Sequence, residues 1–171
     1  WATLIGLIEK SASGEENVVV GVVSAPALFR RWYAFEGGGA FVIVNRNNDQ
    51  EATPKRISVS SVSRMEDASI SYSDFVGWGE RLAPFQSLLA SAWRTRAHGD
   101  FWSHMLVAEG AVDGALEPSL ALWDMAALDI IVREAGGRFS SVTGIDGPHA
   151  GSGFSSNGKL HQSILDALTV R

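Results

Sequence analysis

Cysteine is absent from this sequence, and its absence excludes disulfide bonds and thiolate metal sites. A chain without cysteine is compatible with a reducing compartment, so we expect a cytoplasmic protein. Positive charge is also scarce, because 14 Lys and Arg stand against 19 Asp and Glu, a net charge of -5. This balance gives no electrostatic reason to expect nucleic acid or an acidic membrane as a partner.

Long apolar runs are missing as well. None approaches the roughly 20 residues that a helix needs to cross a bilayer, so no membrane span is predicted. The 171 residues are 46% hydrophobic and 19% charged, which is typical of one globular domain or a domain and part of another. The chain opens with Trp1 inside an apolar run, without methionine. This abrupt opening indicates a piece of a longer protein.

The first third of the chain has the pattern of an antiparallel meander, rich in β-branched residues and broken by turn signals. Buried strands are predicted at 1–8 and 18–24, and further strands at 31–35 and 40–44. The polar stretch 45–56 is predicted to be a surface loop, after which residues 57–59 rejoin the sheet edge. We assign residues 1–66 to the antiparallel part of a truncated N-terminal half.

From residue 67 onwards strands and helices alternate, which predicts a layered α/β unit over residues 67–171. Strands are expected at 68–72, 95–97, 112–116 and 138–141. Helices are expected at 80–93 (interrupted by Pro84), 100–109, 123–137 and 160–168. The glycines of 144–158 indicate a turn-rich loop.

Asp124 lies at the head of an apolar helical stripe, where a charge is unusual. Positions i+3, i+4, i+7, i+8 and i+11 from it are Ala127, Leu128, Ile131, Val132 and Ala135, the spacing of one buried face. Spacing alone favours a helix-capping role, since Asp is a preferred N-cap. The alternative is a ligand of a hard divalent cation such as Mg²⁺ at the wall of a cleft.

Glu117 ends a short apolar strand and precedes Pro118. Strand ends are where α/β proteins build sites, although a glutamate there is more often simply solvated. The four histidines lack the paired spacing of a zinc site. Three tryptophans are predicted to pack in the core or cleft wall: Trp93, Trp102 and Trp123.

The run LVAEGAVDGALEP, followed by LWDMAALDIIVREAGG, resembles the signature of the inositol monophosphatase family. GVVSAPAL and the turn GGGAF agree with the same family, and the Gly-Asp-Phe-Trp block at 99–102 resembles its bacterial histidinol-phosphate phosphatase branch. The likeness covers nearly the whole chain apart from 45–56. It implies a partial α/β/α/β/α sandwich and a Mg²⁺-dependent phosphomonoester hydrolase of histidine biosynthesis. The expected partner is a small phosphorylated metabolite, and the longer protein is expected to form a homodimer.

The resemblance also implies roles for individual residues. Asp124 matches a Mg²⁺ ligand, and Glu117 matches a substrate contact that would face the amine of histidinol. The other implied substrate-binding residues are Gly99, Asp100, Phe101 and Arg96, of which Arg96 would meet phosphate or imidazole. An N-cap role for Asp100 and a surface ion pair for Arg96 remain alternatives.

The family's Asp-Pro-Ile-Asp-Gly-Thr metal loop is not found in this sequence. We therefore assign no catalytic residue here, expect that segment upstream of Trp1, and predict negligible activity for the chain alone. Two other functions stay open, an inositol-1-monophosphatase-like phosphatase and a non-catalytic binding or assembly domain.

Overall fold

The structure, a computed structural model, describes residues 1–45 and 52–170. The first five strands are β1 (Thr3–Lys10), β2 (Glu16–Ala25), β3 (Arg30–Phe35), β4 (Gly39–Val44) and β5 (Lys55–Ile57). The next five are β6 (Ser69–Tyr72), β7 (Arg94–Arg96), β8 (Gly114–Glu117), β9 (Arg138–Ser140) and β10 (Gly153–Ser156). The α-helices are α1 (Leu82–Ser91), α2 (Asp100–Ala108), α3 (Leu122–Glu134) and α4 (His161–Ala167).

The first sheet has the strand order β1-β2-β3-β4-β5, and every neighbouring pair is antiparallel. The predicted meander is therefore confirmed, and β5 joins its edge. This strand begins at Lys55 and ends at Ile57, so it starts two residues inside the predicted loop and leaves out residues 58–59 of the prediction. The loop predicted at 45–56 includes residues 46–51, which lie outside the described residues.

The prediction that the strand at 1–8 is buried was wrong. Trp1 is 97% exposed, Ile5 59% and Leu7 58%, because β1 is an edge strand with one face uncovered by the described residues.

The second sheet has the order β7-β6-β8-β10-β9. Strands β7, β6 and β8 are parallel, whereas β10 pairs antiparallel with both β8 and β9. The prediction of a loop across 144–158 was wrong for residues 153–156, which form a fully buried inner strand. Its sequence GFSS has one large apolar side chain and no alternation, so it carries no strand signal.

Helices α2 and α3 lie between the two sheets, and α1 and α4 pack on the other face of the second sheet. The result is a β/α/β/α stack, which contains four of the five predicted layers and confirms the layered α/β class. All residues of α3 from Met125 to Val132 are buried. The prediction of one buried face was therefore too narrow, because α3 contacts both sheets.

Two glycines allow α3 to approach the first sheet closely. Gly6 and Gly21 are cross-strand partners in β1 and β2. A Cβ atom on Gly21 would lie 2.7 Å from the Ala127 carbonyl oxygen, and one on Gly6 would lie 2.8 Å from Ala126 Cβ. Close contact with the glycine backbone of β1 and β2 thus sets the distance between the first sheet and α3, the helix that carries Asp124.

Pro84 does not interrupt α1, contrary to prediction. It lies in the first turn, where a backbone N–H has no intrahelical partner and proline is tolerated. Within residues 1–45 and 52–170, no helix has the length and apolarity needed to span a membrane. The division into domains at residue 66 stays a prediction.

Candidate functional site

The carboxyl ends of three parallel strands form one wall of the candidate site. In the register of β6 and β8, Tyr72 lies opposite Leu116, so the next residues, Ser73 and Glu117, are also neighbours. The Ser73 hydroxyl donates a hydrogen bond to Glu117 Oε1 at 2.5 Å. This is the edge at which open α/β sheets bind ligands.

Glu117 is almost completely buried, with 5% of its surface exposed. Burial raises its pKa to about 7, and the nearby carboxylates of Asp100 and Asp74 push in the same direction, while the Ser73 hydrogen bond opposes the rise. A solvated strand-end glutamate is therefore the wrong description. Near neutral pH this carboxyl group gains or loses a proton readily, and a cation beside it would favour the ionised form.

Gly99 and Asp100 make a sharp turn into α2. Gly99 is the N-cap residue with φ +77°, and Asp100 is the first helical residue with φ +50°, a left-handed conformation that is uncommon for any residue except glycine. The alternative that Asp100 is the N-cap was therefore wrong by one residue, because Gly99 occupies that position. Its backbone N–H donates to Ser73 Oγ at 3.0 Å, which ties this turn to the end of β6.

Asp124 lies at the third position of α3, after the N-cap residue Ala121. The Ala121 backbone N–H donates to Asp124 Oδ2 at 3.1 Å, so the carboxylate does stabilise the helix start, although it is not itself the N-cap. The other oxygen, Oδ1, accepts no hydrogen bond from the described residues.

The Asp124 side chain also faces a cavity of about 230 Å³. The cavity is lined by Trp1, Ala2, Leu4, Asp100, Phe101, Leu120, Asp124 and Leu128. Asp100 and Asp124, from the first turns of two different helices, thus share one partly apolar cleft. The Phe101 ring forms its floor and packs edge-on against Trp32, with ring centroids 6.3 Å apart.

Arg96 is exposed, and it is not among the residues that line the cleft of Asp100 and Asp124. Its guanidinium donates to the Thr95 backbone carbonyl at 2.7 Å, and it forms no ion pair within the described part of the chain. The alternative of a surface ion pair is therefore not observed. Binding of phosphate or imidazole by Arg96 stays a prediction.

Two of the three tryptophans were placed wrongly. Trp93 is 66% exposed and Trp123 is 78% exposed. Trp123 precedes Asp124 by one residue, which turns it about 100° from the buried stripe. It lines a second shallow cavity with Ile5 and Ala126 beside β1.

A divalent metal fits part of this site. Across residues 1–45 and 52–170, no group of three or more His, Asp or Glu side chains is close enough together to hold a metal ion. Mg²⁺ is usually held by one or two carboxylates, with water and substrate phosphate completing its coordination. Asp124 supplies one such carboxylate, and the other ligands are not found among the described residues.

Two histidines outside the site are buried among serines. His104 Nδ1 lies 2.8 Å from Ser155 Oγ, while its Nε2 has no hydrogen-bond partner in the described structure. His161 Nδ1 lies 2.8 Å from Ser156 Oγ. Burial lowers the pKa of each to about 4, which indicates neutral structural imidazoles.

Sequence reasoning missed Ser73. A single serine after a short strand has no motif value, and the parallel register that aligns it with Glu117 is visible only in the structure. It joins two predicted substrate-wall residues, Glu117 and Asp100.

The two stacked sheets and their helices define a layered α/β protein, with a cleft lined by two carboxylates where the starts of α2 and α3 meet. The sequence model of the inositol monophosphatase family matches residues 1–169, and the chain belongs to that family.

Two curated relatives of this chain are histidinol-phosphatases. The chain is 51% identical over 173 residues to a histidinol-phosphatase of Streptomyces coelicolor, covering 100% of this chain and 63% of the relative. It is 51% identical over 175 residues to a histidinol-phosphatase of Mycobacterium tuberculosis, covering 99% and 62%. The chain thus spans less than two thirds of the length of these curated relatives.

Solved structures agree on the fold. An IMPase of Thermotoga maritima superposes with a TM-score of 0.73 at 29% identity, covering 89% of this chain and 56% of that one. An inositol monophosphatase of Zymomonas mobilis superposes with a TM-score of 0.83 at 21% identity, covering 99% and 62%.

Proposed function

We propose that this chain supplies the substrate wall and one metal-binding carboxylate of a Mg²⁺-dependent phosphomonoester hydrolase that acts on histidinol phosphate. The observation that carries the proposal is the shared cleft of Asp124 and Asp100, next to the buried carboxyl of Glu117. Family membership and the two histidinol-phosphatase relatives support the same chemistry.

Each residue has a role that follows from its surroundings. Asp124 would offer Oδ1 to the metal while the Ala121 N–H holds Oδ2, which fixes the orientation of the carboxylate. A bound Mg²⁺ would supply an acidified water and would neutralise charge on the leaving oxygen. Asp100 and Phe101 would flank the substrate between this metal position and Glu117.

Charge supports histidinol phosphate over inositol phosphate. Histidinol carries an ammonium group and an imidazole, whereas inositol is neutral. Asp74 and Asp100 lie close enough to Glu117 to raise its pKa, so negative charge is concentrated at one strand edge. An ammonium group gains a charge attraction there in addition to hydrogen bonds, whereas a neutral hydroxyl group gains hydrogen bonds only. Arg96 stays a weaker proposal for the phosphate end.

One carboxylate does not bind the full set of ions that such a hydrolysis needs. We therefore propose that the chain alone binds ligand without appreciable turnover, and that further metal ligands come from polypeptide outside these 171 residues.

The test compares two proteins, this chain alone and this chain joined to the part of the Streptomyces coelicolor relative that it does not match. Phosphate release from histidinol phosphate and from inositol 1-phosphate is measured over a range of Mg²⁺ concentrations. We expect the joined protein to have the higher kcat/KM for histidinol phosphate, and the chain alone to release negligible phosphate. Metal-dependent turnover by the chain alone at an enzymatic rate would refute the second expectation.

Variants of the joined protein assign the residues. Asp124→Asn should raise the Mg²⁺ concentration for half-maximal activity at least about tenfold, the scale seen when even an indirect metal partner is lost. Glu117→Gln should lower turnover of histidinol phosphate and spare inositol phosphate, and an exposed control, Glu80→Gln, should do neither. If Glu117→Gln leaves histidinol phosphate turnover unchanged, the role of Glu117 is wrong. Ligand binding without turnover in the joined protein would instead favour a non-catalytic binding domain.

A further inference from the structure

The Ser73 hydroxyl connects three separate elements at the substrate wall. It donates to Glu117 Oε1 at 2.5 Å, and it accepts the Asp100 backbone N–H at 3.0 Å. Ser73 itself follows the last residue of β6, so the ends of β6 and β8 and the start of α2 meet at one oxygen atom. A hydroxyl that donates once and accepts once satisfies both bonds at the same time.

The backbone around this oxygen is adapted to its position. A Cβ atom on Gly99 would lie 3.1 Å from Ser73 Oγ, and φ at Gly99 is +77°. Only glycine avoids both the close contact and the strain of that conformation. Asp100 then takes φ +50°, an uncommon conformation that the hydrogen bond to Ser73 helps to maintain.

We propose that Ser73 is a positioning residue, whose hydroxyl holds the Glu117 carboxylate and the Asp100 turn in one arrangement suited to a cationic substrate group. This inference rests on the proposed function of Glu117. Ser73 would act through its two partners and would not itself touch the substrate.

The electrostatic consequence distinguishes this role from packing. A hydroxyl donor stabilises the ionised carboxylate, whereas burial and the charges of Asp100 and Asp74 favour its protonated form. Loss of the donor should raise the pKa of Glu117 by about one unit, the scale of a hydrogen bond to a charged group. Because a protonated Glu117 no longer attracts an ammonium group, binding of histidinol should become about threefold weaker at pH 7.5 and change little at pH 8.5.

The experiment uses the whole chain with ¹³C-carboxyl-labelled glutamate, and Glu117→Gln identifies the resonance of Glu117. The pKa of Glu117 is measured by NMR in the unsubstituted chain, in Ser73→Ala, in Ser73→Thr and in the control Ser87→Ala, whose hydroxyl bonds a helix carbonyl on α1. We expect a raised pKa in Ser73→Ala only, with Ser73→Thr close to the unsubstituted chain because it keeps the hydroxyl.

Calorimetric titration with histidinol at pH 7.5 and 8.5 then separates the two proposals. If the unsubstituted chain binds histidinol while Ser73→Ala changes neither the pKa of Glu117 nor the affinity, the role of Ser73 is overturned and the proposed function stands. If Ser73→Ala raises the pKa but no protein binds histidinol, the proposed function of Glu117 fails, and the substrate role of Ser73 fails with it. A raised pKa together with pH-dependent weakening of histidinol binding supports both.

Discussion

The two sheets of this molecule bury different kinds of side chain. Up to residue 68, the described part of the chain buries apolar side chains and glycine backbone only, whereas from Ser69 onwards fourteen polar or ionisable side chains are buried. The first sheet therefore resembles a simple apolar support with one exposed edge. The strands of the second sheet and the helices that pack on it contain buried hydroxyl, imidazole and carboxyl groups that must be satisfied one by one. The candidate site lies where this sheet meets α2 and α3, and residues 1–4 at the edge of the first sheet help to line its cleft.

The largest expected effect lies where α2 packs against β10 of the second sheet, and it depends on pH. The pKa of His104 is lowered by burial from 6.5 to about 4. Above pH 6.5 both folded and unfolded states are neutral at this site, but below it the unfolded state takes up a proton that the folded state refuses. The stability contributed by neutral His104 is thus complete above 6.5 and is lost as the pH falls towards 4, by up to about 3 kcal/mol.

Urea unfolding between pH 4 and 8 measures this loss. His104→Gln should remove its own share of the loss on the acid side. The opposed contributions of His161, whose pKa is lowered in the same way, and of Glu117, whose raised pKa stabilises the fold as the pH falls below 7, remain in both proteins. The exposed His149→Gln serves as control and should leave the profile as it is. An unchanged acid slope in His104→Gln would mean that His104 is not buried in the neutral form.

A smaller effect is expected where the first sheet supports α3. In Gly21→Ala the new Cβ atom would lie 2.4 Å from Ile130 Cγ2 and 2.7 Å from the Ala127 carbonyl oxygen, so helix or strand must shift. We expect a loss of about 2 kcal/mol, the usual cost of overpacking. For a chain of this size that corresponds to a melting temperature lower by about 4–8 °C.

Gly6→Ala provides the matched comparison, because its nearest contact is the Ala126 methyl group at 2.8 Å and not a backbone oxygen. Its melting temperature should fall less than that of Gly21→Ala. Equal melting temperatures for both variants and the unsubstituted chain would show that α3 does not approach the first sheet as closely as the contacts of these glycines indicate.

The contrast between the sheets also explains what the sequence could predict. The meander and the apolar stripe of α3 follow from residue periodicity, which reports burial directly. Strand β10 was not predicted because its buried serine hydroxyls are satisfied by the imidazoles of His104 and His161, which lie on two helices and not in a neighbouring strand. Polar burial of this kind leaves no periodic signal.

The site shows the same limit. Asp124 and Glu117 could be singled out because a carboxylate at a helix head or a strand end is conspicuous. Ser73 could not, because its importance arises only when two parallel strands place it against Glu117 and a glycine turn brings Asp100 to the same oxygen. The prediction that Trp123 packs in the core or cleft wall failed for a related reason. A large apolar residue next to a buried stripe does not reveal from the sequence whether another part of the protein covers it.

The smallest expected effect tests whether the edge of the first sheet is as open as its side chains indicate. Ile5 in β1 is 59% exposed, whereas Ile70 in β6 is 0% exposed. The same substitution, Ile→Val, removes one methylene group and keeps the β-branch at both positions. Ile70→Val should cost about 1 kcal/mol of unfolding free energy, and Ile5→Val less than about 0.5 kcal/mol.

Urea unfolding of both variants at pH 7 measures the difference. Equal losses would mean that β1 is covered in solution, by a second copy of the chain or another surface, because only burial makes a methylene group costly to remove.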